Sequence, residues 1–200
     1  MQQNIVIYVH GLGGNAAEAD HYRPLFSDAD VVGFDYRSDT PWAAAEEFLP
    51  FFRQAKETHA TVTLIANSIG AYFSMNALSA LTVDRALFIS PVVDMEGVIR
   101  SMMAAAGVTD AELRARGDIP VANGQTLSWR YLTYVRQHPL VWRVPTRILY
   151  GGQDGLTPRA AIDGFCAQSG AALTVMSDGG HWFHTDAEMA FLDRFMRGDA

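Results

Sequence analysis

Leu64-Ile65-Ala66-Asn67-Ser68-Ile69-Gly70-Ala71 sets one serine between two small residues, where the apolar run Val62 to Ala66 gives way to a helical pattern. The stretch predicts a strand, a sharp turn and a helix. Small side chains at Ala66 and Gly70 let strand and helix backbones approach closely, leaving Ser68 at the crest beside the N–H groups of a helix N-terminus. Serine is equally at home as an ordinary helix N-cap. Residues elsewhere in the chain must decide between the two.

Outward from this turn, apolar runs and helical periods alternate. Ile5–Val9, Val31–Phe34, Val62–Ala66, Ala86–Ile89, Arg147–Tyr150 and Leu173–Met176 read as six strands. Thr40-Pro41 supplies an N-cap followed by proline at the first helical position, and Trp42, Ala45, Phe48, Leu49 and Phe52 follow on one face. Ile69, Tyr72, Phe73, Asn76, Ala77 and Ala80 mark the helix after Ser68. Thr185-Asp186-Ala187-Glu188 opens the last helix with a capping-box pattern. Strands this apolar, separated by helices, imply a doubly wound α/β fold with a mostly parallel sheet covered on both faces.

Between the fourth and fifth strands the rhythm breaks, because the connection is far longer than a simple crossover. Helical patterns fill it: Val98 to Ala106, a capping box at Thr109-Asp110-Ala111-Glu112, and Leu127 to Gln137. Residues 92–143 are therefore expected to be a helical lid or cap inserted into one domain spanning 1–200. The segment has too few apolar residues to sustain a core of its own.

Composition limits the function classes. The chain has 200 residues, 49% hydrophobic and 18% charged, with a net charge of -7 and no Lys/Arg cluster, so nucleic acid and anionic membranes are not expected partners. The single cysteine, Cys166, excludes an intramolecular disulfide and reads as a packed small hydrophobe. No apolar run approaches the ~20 residues that span a bilayer, and the N-terminus lacks a signal-peptide pattern. A soluble, cytoplasmic protein is expected. The six histidines are scattered without ligand spacing, so no metal is expected. Gly11-Leu12-Gly13-Gly14 does not fit the dinucleotide fingerprint, and no P-loop is present, so no cofactor is expected.

In an open parallel sheet, ligands sit beyond the carboxyl ends of the strands. His10, Asp35, Ser68, Asp94, Asp154 and His181 all fall just past a strand, and Ser68, Asp154 and His181 follow in that order along the chain. Four motifs carry a resemblance: His10-Gly11-Leu12-Gly13-Gly14, Ala66-Asn67-Ser68-Ile69-Gly70, Gly151-Gly152-Gln153-Asp154 and Gly179-Gly180-His181. Together they resemble a compact member of the α/β-hydrolase superfamily over nearly the whole length. The chain departs from the common pattern at Ala66, where glycine is more usual, and at Asn67, where an aromatic residue or histidine is frequent. The first two strands of larger members are also missing.

The resemblance implies that Ser68 is a nucleophile, His181 its general base and Asp154 the acid that orients His181. Asp94, after the fourth strand, is the alternative acid. The N–H groups of Leu12 and Ile69 would form the oxyanion hole. His10, Met102, Trp129 and Trp182 are candidate pocket residues, although His10 reads more readily as a loop-shaping residue; His184, which could line the pocket or cap the last helix, reads more readily as structural, and Asp35 as a turn and hydrogen-bonding residue. Arg100, Arg130 and Arg136 leave room for a carboxylate on the substrate. The implied activity is cleavage of a small or medium carboxylic ester or thioester, with a small-molecule acyl substrate as partner. A small peptidase, a carbon–carbon bond hydrolase and a non-catalytic ligand-binding relative are the alternatives.

Overall fold

The computed structural model describes residues 3–122 and 124–200. They divide into two compact units, one made of the chain up to Val93 together with Val141–Ala200, the other of Asp94–Leu140.

The first unit is built on β1 (Asn4–Val9), β2 (Ala29–Gly33), β3 (Val62–Asn67), β4 (Arg85–Ile89), β7 (Thr146–Gly151) and β8 (Ala172–Met176), in the order β2-β1-β3-β4-β7-β8. Every neighbouring pair is parallel. The six apolar runs are thus the six strands of one sheet. Both faces are covered, as alternation along β1 shows. Val6 and Tyr8 join a core with Ala19, Tyr22, Leu192 and Phe195, while Ile5, Ile7 and Val9 are also buried but point to the opposite face.

Helices α1 (Pro41–Thr58) and α2 (Ile69–Ala77) pack together. Thr40 caps α1 by accepting from Ala43 N–H. Phe34, just past β2, lies 4.9 Å from Phe48 and 4.3 Å from Phe51 of α1, ring centroid to centroid. α6 (Arg159–Ser169) precedes β8 and buries Ile162 and Phe165. α7 (Asp186–Arg197) begins at the capping box of Thr185 and Glu188. Ala16–Leu25, which shows no clear period in the sequence, winds as a 3₁₀ helix behind its own capping box of Asn15 and Glu18.

The second unit holds α3 (Met95–Ala105), α4 (Asp110–Arg116) and α5 (Trp129–Gln137), with a short hairpin of β5 (Asp118–Pro120) and β6 (Thr126–Ser128). The sequence predicts a helix from Leu127, but α5 starts two residues later. Ser128 caps it by accepting from Tyr131 N–H, while Leu127 is buried on β6 opposite Ile119. Arg136 bonds Glu96 and Asp110, both at 2.9 Å, and Arg100 bonds Glu96 at 3.0 Å. The guanidinium of Arg136 is the main influence holding the Glu96 carboxyl below its usual range. Arg100 and Arg136 therefore meet acidic neighbours within their own unit. Among the described residues, no helix is long and apolar enough to cross a membrane.

Candidate active site

β3 delivers Ser68 into a conformation that side chains rarely adopt, with φ 52° and ψ -121°. Among the described residues only Ser68 and Ser90 have positive φ without being glycine. The conformation is held from both sides: Ser68 N–H donates to Ile89 O at 3.0 Å, and Val92 N–H donates to Ser68 O at 3.1 Å. Such strained residues persist where their surroundings over-determine them.

Ser68 stands in the N-cap position of α2, yet its side chain makes no capping hydrogen bond. Its hydroxyl instead meets His181 Nε2 at 2.8 Å. On the far side of the ring, His181 Nδ1 lies 2.8 Å from Asp154 Oδ2. A proton on Nδ1, donated to the carboxylate, leaves Nε2 as the acceptor for the serine hydroxyl. The Asp154 side chain is fully buried, and that of His181 is 25% exposed. The second oxygen of Asp154 accepts from the N–H groups of Leu156 at 2.7 Å and Thr157 at 3.1 Å, so the buried carboxylate is well supplied with donors. Asp94, the alternative acid, caps α3 by accepting from Gly97 N–H at 2.9 Å.

Close backbone approaches explain the glycines in the motifs. A Cβ on Gly70 would lie 2.3 Å from His10 O, and one on Gly151 would lie 2.1 Å from Gly180 O. The first contact seats α2 against the end of β1. The second presses the end of β7, and so the loop carrying Asp154, against the loop carrying His181. Likewise, a Cβ on Gly11 would come 3.2 Å from Ser68 Cβ, which puts the Gly11–Gly14 turn beside the serine. Leu12 is in that turn, and Ile69 is the first residue of α2, where backbone N–H groups precede any intrahelical acceptor.

The remaining predicted residues fall into place as follows. His10 is buried, stacked on Tyr36 at 4.3 Å, with Nδ1 2.9 Å from Gly11 O; Tyr36 in turn donates its hydroxyl to His10 O at 2.8 Å. Trp182 is 68% exposed and stacks on His184 at 4.2 Å. Met102 and Trp129 are half-buried in the second unit, where Arg136 lies over the Trp129 ring at 5.9 Å. Asp35 is exposed with Arg37 at 3.7 Å. Cys166 is half-buried, and burial pushes its thiol up. Among the described residues, no group of three or more His, Cys, Asp or Glu could hold a metal ion.

Two contributors were missed. Tyr8 on β1 is buried and donates its hydroxyl to Glu18, and Asn67, next to Ser68, also bonds it. Burial first, then Tyr22 and Glu18, push the Tyr8 hydroxyl far up, while the bond from Asn67 acts in the opposite direction. Thr157, also buried, bonds both Asp154 and the β4 end. Neither position has a motif that could have announced it.

The sequence model of the alpha/beta hydrolase family matches residues 6–194. No curated protein matches the chain. Among solved structures, alpha/beta hydrolase domain-containing protein 10 from mouse is 16% identical, with a TM-score of 0.78 over 97% of this chain and 88% of that one. Est1E from Butyrivibrio proteoclasticus is 15% identical, with a TM-score of 0.75 over 98% and 86%. An alpha-beta serine hydrolase homologue from Coxiella burnetii is 18% identical, with a TM-score of 0.64 over 98% and 84%. At these identities the likeness is one of fold, whereas the match to the family model spans nearly the whole sequence: the chain belongs to the alpha/beta hydrolase family.

Proposed function

We propose that the protein is a serine hydrolase that cleaves a small or medium carboxylic ester through an acyl-enzyme. One observation carries this: Ser68 occupies a helix N-cap position but leaves the helix uncapped and bonds His181 Nε2 at 2.8 Å. A serine kept only to cap would turn its oxygen to the helix N–H groups.

In this mechanism Ser68 Oγ attacks the acyl carbonyl as His181 Nε2 takes its proton. Asp154, bonded to Nδ1, holds the ring and stabilises the imidazolium that forms. The N–H groups of Ile69 and Leu12 receive the developing oxyanion, each such donor being typically worth ~3–4 kcal/mol. His181 then returns the proton to the leaving alcohol. Water repeats the sequence on the acyl-enzyme and releases the acid.

Apolar side chains beside these residues favour a substrate with apolar flanks. Leu12, Leu156 and Trp182 are 75%, 43% and 68% exposed, and each lies in or next to a segment carrying the oxyanion donor, the acid or the base. Large apolar side chains left in water beside a polar centre are common at ligand sites. The inserted segment of residues 92–143, with Met102 and Trp129, is proposed to influence the choice of substrate.

Turnover of p-nitrophenyl esters of increasing acyl length tests the assignment. The wild type is expected to hydrolyse them and Ser68→Ala to fall to background; a thioester and an amide series then places the leaving-group preference. Equal rates for wild type and Ser68→Ala overturn it. Met102→Ala and Trp129→Ala are expected to alter chain-length preference with the hydrolysis itself retained, and an unaltered preference removes the role proposed for the segment.

A further inference from the structure

A closed circuit of hydrogen bonds passes through the candidate site. From Ser68 it runs by Oγ to His181 Nε2 at 2.8 Å and from Nδ1 to Asp154 Oδ2 at 2.8 Å. Asp154 Oδ1 then accepts Thr157 N–H at 3.1 Å, and the Thr157 hydroxyl donates to Pro91 O at 3.3 Å. Pro91 adjoins Val92, whose N–H donates to Ser68 O at 3.1 Å, and on its other side lies Ser90, whose N–H donates to Leu149 O at 2.8 Å. The circuit returns to the residue at which it began.

We propose that Thr157 is a positioning residue for the hydrolytic reaction, its hydroxyl fixing the acid's loop to the β4 end that also fixes the nucleophile's backbone. The proposal rests on the serine-hydrolase assignment. Backbone bonds hold this loop on its β8 side, Gly152 N–H to Met176 O and Gln153 N–H to Gly179 O, both at 2.8 Å, and the Thr157 hydroxyl ties it on the other side to the β4 end next to Ser68. The loop needs support. Gly152, Gln153, Gly155 and Leu156 are all exposed, whereas Thr157 is 1% exposed and additionally accepts the Tyr150 hydroxyl at its carbonyl, at 2.9 Å. Pro91 O sits where β4 ends in the strained Ser90, with φ 43°, so this anchor is itself held in a fixed shape. A small displacement of the acid carries through to the ring, and misplacement by ~1 Å can reduce a rate by about 10²-fold.

The test compares Thr157→Val, Thr157→Ser and Thr157→Ala, with rates expressed per Ser68 that a fluorophosphonate can label. Valine keeps the shape and the backbone N–H bond to Asp154 but removes the hydroxyl. Its kcat on p-nitrophenyl acetate is expected to fall on the order of tenfold with KM within about twofold, and serine is expected to restore it. If valine does not fold, alanine takes its place in the same comparison. The decisive arm is the Asp154→Asn background. A residue acting through the acid causes little further loss there, whereas one that merely stabilises the fold causes the same proportional loss in both backgrounds. Wild-type kcat in both Thr157→Val and Thr157→Ala, failure of Thr157→Ser to restore, or full additivity with Asp154→Asn overturns the proposal while the labelled wild type keeps the hydrolase assignment intact. A wild type that neither labels nor turns over removes that assignment, and this proposal with it.

Discussion

Gly180 donates its backbone N–H to Glu188 Oε1 at 3.0 Å, one residue before His181. The other oxygen of Glu188 accepts from the N–H groups of His184 at 3.2 Å and Thr185 at 3.0 Å, and from the Thr185 hydroxyl at 2.8 Å. One buried carboxylate thus closes the capping box of α7 and anchors both ends of the loop that carries His181.

This carboxylate should make the fold acid-sensitive. The Thr185 N–H first, then Gly180 N–H and the Thr185 hydroxyl, hold the Glu188 carboxyl down at about 2, below its ordinary 4.5. Because the folded value is the lower one, the contribution is fully present above the ordinary value and is lost as pH falls from about 4.5 to about 2. Urea unfolding at stepped pH should show the wild type losing about 3 kcal/mol more across that window than Glu188→Gln does. Parallel stability curves for the two proteins would remove the role given to Glu188.

Gly151→Ala should damage both fold and activity. Its Cβ would meet two backbone oxygens, Gly180 O at 2.1 Å and Gly179 O at 2.5 Å, and neither can swing away as a side chain could. A loss of about 2 kcal/mol or more is expected by thermal unfolding, with reduced ester turnover in the folded fraction. Wild-type stability would show that the β7 end and the His181 loop are not in close contact.

The two candidate acids should separate cleanly. Asp154→Asn is expected to lower kcat by about 10⁴-fold, because the amide no longer favours the proton on Nδ1 that the mechanism needs. Asp94→Asn should leave kcat within about threefold, since asparagine caps a helix as well as aspartate does. Steady-state kinetics on one p-nitrophenyl ester decides, and equal losses contradict the assignment of Asp154.

Trp182→Ala should act on binding. The ring is 68% exposed and contributes little to the core, so the melting temperature should hardly move. If the ring flanks the substrate, KM for long or aromatic esters should rise several-fold, roughly 1 kcal/mol, with kcat nearly unchanged. A KM that is unchanged across the ester series would exclude Trp182 from the substrate's surroundings.

What could be read from the sequence was local. The runs at Ile5–Val9 and Val62–Ala66 declare strands because they are almost wholly apolar on both faces, Thr109 and Thr185 announce helix starts through four-residue capping boxes, and Thr40 does so through the proline that follows it. The hairpin of β5 and β6 escaped because each strand has only 3 residues, too few for any period to show, and its pairing rather than its composition defines it. In the site, Ser68, Asp154 and His181 were legible from their places after strands. The links that hold them were not. Thr157 and Pro91 are 66 residues apart, and Glu188 shows only its capping role in sequence, since its second oxygen reaches Gly180 through a loop whose path is set in three dimensions.

The central claim is that Ser68 is a nucleophile activated by His181, and covalent trapping tests it most directly. Incubation with a fluorophosphonate followed by intact-protein and peptide mass spectrometry should find one phosphonyl group per chain, on the peptide containing Ser68. The adduct should be absent from Ser68→Ala and should form far more slowly in His181→Gln. A wild type that gains no adduct, or gains it on a residue other than Ser68, contradicts the account.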